Sequence, residues 1–155
     1  MKLIFQTEGQ LSTADSQTHR RFTFDVAPNG RELHLLFDYS PTLLEDEQLS
    51  KEIIRTSLFK YNEGSEPVTE DGWRKYYPLR NLLTVSLDDP DGFRGACHRK
   101  DASQRLSVSA HEASPGLMPG PVIAGAWTVT LSLHAIVTES CEFKLTVWQE
   151  DGDLL

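Results

Sequence analysis

The sequence predicts a mostly β protein: a two-sheet antiparallel β-sandwich, jelly-roll-like, formed by a single domain over residues 1–155 with one short amphipathic helix. Three observations predict it. Apolar and polar residues alternate along several segments, as half-buried strands require, because successive side chains leave opposite faces of the pleat. Turns bearing Gly, Pro or Asn separate those segments. One stretch alone, 42–61, switches to helical spacing.

The clearest alternation starts at Trp127. Trp127, Val129, Leu131 and Leu133 share one face, and Thr128, Thr130, Ser132 and His134 the other. Gly125 lets the chain turn sharply just before it, after the Ser114-Pro115-Gly116 and Pro119-Gly120-Pro121 turns. Trp127 is therefore expected to anchor the core. Residues 2–10 form a first strand, followed by a polar loop. Arg21–Val26 presents Phe22, Phe24 and Val26 on one face, and 31–40 presents Leu33, Leu35, Phe37 and Tyr39. Pro28-Asn29-Gly30 between them is a turn with a mechanism, and the two segments read as a hairpin. Thr42 and Glu45 fit a capping box ahead of Leu49, Ile53, Ile54 and Leu58, which predicts the helix. Loop follows over 62–78. Strands resume with Leu83, Val85 and Leu87 inward, then the turn Asp89–Gly95, then Leu106, Val108 and Ala110 on one face. After the Trp127 strand, Cys141, Phe143, Leu145 and Val147 line the last one, and an acidic tail is expected to fray. Seven or so strands result.

Composition excludes several function classes. The formal net charge is −8, which argues against nucleic acid and against an anionic membrane surface, both of which select clustered Lys and Arg. The start, MKLIFQTEGQ, has an apolar patch too short for a signal-peptide core, and no apolar run is long enough to span a membrane. Two cysteines, Cys97 and Cys141, read as free thiols, and the expected location is cytoplasmic.

FTFDVAPNGRELHLLFDYSP, NLLTVSLDDPDGFRG, SPGLMPGPVIAGAWTVTLSL and EFKLTV, taken in order, carry a resemblance over about residues 20–148. The chain resembles the β-sandwich domain that precedes the catalytic domain in PHP-type metal-dependent phosphoesterases of the CehA/McbA kind. Its most specific parts are DPDGFRG and PG-x-x-x-G-x-x-x-x-G-x-W, from Pro115 to Trp127. The resemblance implies an accessory domain. The family's catalytic residues are not carried over, because the sequence has no His-x-His and ends at Leu155. Where the family tends to have an aromatic after Arg94-Gly95, Ala96-Cys97-His98 stands here.

Candidate chemistry is sparse, and no catalytic residue is assigned. Asp88, Asp89 and Asp91 put three carboxylates in one turn, weak candidates for a cation, but their spacing fits no calcium loop and a self-capping turn is the simpler reading. Cys97, His98, His111 and Glu112 offer zinc-type donors at spacings that match no finger or metalloprotease motif. No cofactor or metal is expected. The segment Trp73–Tyr77 holds Trp73, Arg74, Lys75, Tyr76 and Tyr77 on a loop. It is read either as a stacking surface of Trp73, Arg74, Tyr76 and Tyr77 or as a lid packed onto the sandwich. Trp148 has outward parity and is a second exposed-aromatic candidate. The expected function is a non-enzymatic binding module for a protein partner, for a second copy of itself, or for a small or carbohydrate ligand. Its rivals are a metal-dependent enzyme or sensor built on the acidic turn and the Cys and His residues, and a structural subunit of a phosphoesterase system.

Overall fold

A computed structural model describes residues 1–62 and 72–152, with the side chains of Tyr61 and Asn62 left aside. Eight long strands form two antiparallel four-stranded sheets. They are β1 (Lys2–Leu11), β2 (Thr18–Val26), β3 (Gly30–Ser40), β6 (Leu82–Asp89), β7 (Gly92–Cys97), β8 (Ser103–Ser109), β9 (Gly125–Ala135) and β10 (Cys141–Asp151). Two short strands, β4 (Leu43–Leu44) and β5 (Leu79–Arg80), pair with each other. One sheet has the order β1-β10-β3-β8 and the other β2-β9-β6-β7. The long strands pair first with last: β1 with β10, β2 with β9, β3 with β8, β6 with β7. The chain is thus laid down like one long hairpin wrapped around the core, with its tip at Pro90-Asp91.

The period-two pattern places the core as expected. Trp127, Val129, Leu131, Leu133, Leu83, Val85 and Leu87 of one sheet meet Leu33, Leu35, Phe37, Leu106, Leu145 and Val147 of the other, all essentially closed to solvent. Face was legible, but partner was not. The expected hairpin of 21–26 with 31–40 does not form, since β2 pairs with β9 and β3 with β10 and β8. Asn29 does take a positive φ of 68°, but its turn carries the chain from one sheet to the other. Alternation fixes which side of a strand is buried, and a face-to-face neighbour satisfies it as well as an edge-to-edge one.

Three boundaries differ from expectation. The helix, α1, spans Glu47–Asn62, and its cap is Asp46, whose carboxylate accepts the Leu49 N–H at 3.0 Å. Thr42 instead leads into β4. The apolar stripe of α1 is narrow: Ser50 and Ile54 are buried while Leu49 and Phe59 are exposed. Ala110 lies beyond β8 and is exposed. The expected fraying tail is ordered strand through Asp151, and 153–155 lie outside the described residues. Asn81 stitches the excursion between β3 and β6 to the sandwich. Fully buried, it donates to the Pro41 carbonyl and to Thr138 Oγ1 and accepts the Val137 N–H at 2.7 Å.

Candidate functional site

The best-built feature is the corner where the β6–β7 hairpin meets the 113–126 segment. Asp89 starts the tip. Its Oδ1 accepts the backbone N–H groups of Asp91 and Gly92, an Asx turn that closes the two-residue loop. Its Oδ2 accepts Arg94 Nη1 at 2.9 Å. The self-capping turn, the simpler reading of the three aspartates, is what forms: Asp89 spends both oxygens on its own turn and on Arg94, and Asp91 is exposed.

Arg94 is the hub of this corner. Its side chain is only 8% exposed, yet every donor direction of the guanidinium is met. Nε and Nη2 donate to the Met118 carbonyl, Nη2 also to Gly120, and Nη1 to Pro121 and Asp89, at 2.9–3.1 Å. The guanidinium also stacks 5.1 Å from the Trp127 ring centre. A buried arginine with one ion pair and three backbone acceptors is a fixed post, and the irregular loop is fastened to it. Gly95 and Gly116 let the two backbones meet, because a Cβ on Gly95 would strike the Gly116 carbonyl oxygen. That contact leaves Ala96 N–H donating to Gly116 O and Met118 N–H to Arg94 O. The outcome is a rigid corner from which two large apolar residues stand out: Phe93, 59% exposed, and Met118, 43% exposed.

The aromatic segment behaves differently. Gly72–Tyr76 is a 3-10 turn lying against α1, and Trp73 is buried at 3% exposure. The expectation of Trp73 as an exposed stacking residue is thereby corrected: it is the packed center of the segment, edge-on to Tyr77 at 6.0 Å and covered by the Arg74 guanidinium at 4.9 Å. Tyr77 donates its hydroxyl to the Glu45 carbonyl at 2.7 Å, fastening the turn to the start of the helix. Of the four residues named for binding, Arg74 and Tyr76 are exposed, with Lys75 over the Tyr76 ring. The rest of the loop, 63–71, lies outside the described residues.

The zinc-type donors disperse. Cys97 faces the core and His98 is exposed, and His111 and Glu112 are exposed on the connection after β8. Burial pushes the Cys97 and Cys141 thiols above their ordinary range, so both stay neutral and are poor nucleophiles and ligands. Among the described residues, one group of three metal-type donors does converge, and the sequence reading missed it: Glu32, His34 and Glu150. Its signal was available, because Glu32 and His34 alternate with the inward Leu33 and Leu35 and so share the outer face of β3. Trp148, opposite His34 in the register, is half-buried on that same face. Further along it, Glu8, Asp38, Glu142 and Lys144, with Tyr39 and Phe143, line a depression of about 490 Å³. No helix among the described residues is long and apolar enough to cross a membrane. No family model matches the chain, and no curated protein matches it.

Proposed function

We propose that the chain is a non-catalytic binding module on a jelly-roll β-sandwich, working by the Phe93–Met118 corner on a protein partner. The observation that carries this reading is Arg94. A buried guanidinium with five hydrogen bonds is an expensive way to hold a surface loop, and it makes sense where the loop's shape must be kept for recognition. Exposed Phe and Met on such a support supply apolar anchor and adaptable fit. The wrapped pairing of first strand with last supports the jelly-roll reading.

The same corner unites the two segments that carry the family resemblance. DPDGFRG and PG-x-x-x-G-x-x-x-x-G-x-W, separate in sequence, are the two halves joined through Arg94. From the resemblance we take a PHP-type phosphoesterase system, with this chain as its accessory domain, as the proposed partner context. Titrating a PHP-type catalytic domain, the unlabelled chain, and a glycan panel into isotope-labelled protein tests it. Saturable NMR shifts centered on Phe93 and Met118 are expected from a protein titrant. Phe93→Ser combined with Met118→Ser should weaken that binding at least about ten-fold while leaving stability within about 0.5 kcal/mol, as for surface changes. Shifts centered elsewhere, or unchanged binding by the double variant, contradict the reading.

A further inference from the structure

We propose that Glu32, His34 and Glu150 form a binding site for a first-row divalent metal ion, of which zinc is the reference case, on the outer face of the β1-β10-β3-β8 sheet. Three features of the backbone and side chains converge on this. Glu32 lies directly opposite Glu150 in the β3–β10 register, so two carboxylates share one cross-strand position. Like charges so placed repel and destabilise a sheet unless something positive stands between them. His34 follows on the same outer face of β3, and its Nε2 points at both carboxylates, 3.5 Å from Glu32 Oε2 and 3.6 Å from Glu150 Oε2.

Those distances are longer than a direct charged hydrogen bond. An imidazolium serving as the counter-charge would donate its Nε2–H to one carboxylate at about 2.7–2.9 Å. Here that nitrogen is closed to solvent and hydrogen-bonded to neither. A tetrahedral ion held by bonds of about 2.0–2.2 Å sets its ligand atoms about 3.3–3.6 Å apart along each edge. Both histidine–glutamate separations have that length, and all three donor atoms lie within 4.8 Å of one another.

The support around the donors fits the same purpose. Arg31 Nη2 holds Glu150 Oε1 at 3.1 Å, which leaves Oε2 turned toward His34. Metal-binding carboxylates are commonly oriented by such outer partners. One imidazole and two carboxylates suit zinc and its first-row neighbours, whereas calcium takes six to eight oxygens. Three protein donors leave the fourth position to water or to a donor from a bound molecule. The inference stands apart from the Phe93–Met118 corner.

Calorimetric titration of zinc chloride into the chelator-treated full chain tests it. One equivalent is expected to bind saturably at about pH 7.5. His34→Gln and Glu150→Gln should each weaken that binding by at least about ten-fold, and Arg31→Ala, a positioning residue, by about ten-fold. His111→Ala should leave it unchanged, and melting curves in metal-free buffer confirm that each variant folds. Absence of saturable heat up to about 100 μM zinc, or affinities in His34→Gln and Glu150→Gln equal to that of the unaltered chain, overturns the proposal.

Discussion

Trp127→Ala is expected to lower stability by about 3–5 kcal/mol, the range for deleting a large buried aromatic. Trp127 is fully closed to solvent and is the largest side chain in the core. Its loss removes more than apolar area. The indole N–H donates to the Ile123 carbonyl at 2.8 Å, and the ring is the platform under Arg94. The truncation therefore empties the core and loosens the corner together. Trp127→Phe separates the two effects, because it keeps an apolar ring and loses the hydrogen bond, and should cost about 1–2 kcal/mol. Urea melts of both variants read the difference. A loss below about 1 kcal/mol for Trp127→Ala would contradict the core placement.

Arg94→Met should be as severe, at about 3–5 kcal/mol, for a different reason. The thioether matches the arginine stem in length, so little packing volume is lost. What remains is the Asp89 carboxylate, 9% exposed and without its cation, and the Met118, Gly120 and Pro121 carbonyls without their donor. Stranding one partner of a buried pair costs far more than the pair contributes when intact. Arg94→Lys should rescue only part, since an ammonium has three donors and no planar fork. Because Arg94 and Trp127 touch, their losses should not add. A melting curve for Arg94→Met close to that of the unaltered protein would remove the hub from the account.

Much of the sandwich was legible in the sequence, because burial on one face of a strand is a local property. Leu83-x-Val85-x-Leu87 and Trp127-x-Val129-x-Leu131-x-Leu133 announce their inward sides without reference to any other segment. Pairing is not local. The partners of β2 and β3 lie at the far end of the chain, so Pro28-Asn29-Gly30 read as a hairpin turn where it is a crossing. Helix start was misplaced for a related reason: both Thr42 and Asp46 are chemically able to cap, and the pairing of Leu43–Leu44 with Leu79–Arg80 decides between them.

The site was less legible. Arg94 sits in a turn among aspartates, where an arginine reads as solvated. Its burial depends on carbonyls 24 to 27 residues further on, which no spacing rule connects to it. Trp73 shows the same difficulty in reverse. A loop rich in aromatic and basic residues suggests an exposed surface, but the support of α1 and the Tyr77–Glu45 hydrogen bond draw the tryptophan inward. Glu32 and His34 alternate with the inward Leu33 and Leu35, so parity alone puts them on the outer face of β3, while Glu150 lies in a tail expected to fray.

Recognition by the Phe93–Met118 surface requires a pre-ordered corner, and backbone NMR order parameters across 113–124 test that most directly. Although these residues have no regular strand, their attachment to Arg94 and Ala96 predicts values of about 0.85, like those of β9 beside them. Values below about 0.6 through Met118–Pro121 would show a flexible loop and would contradict the claim that Arg94 holds a recognition surface in shape.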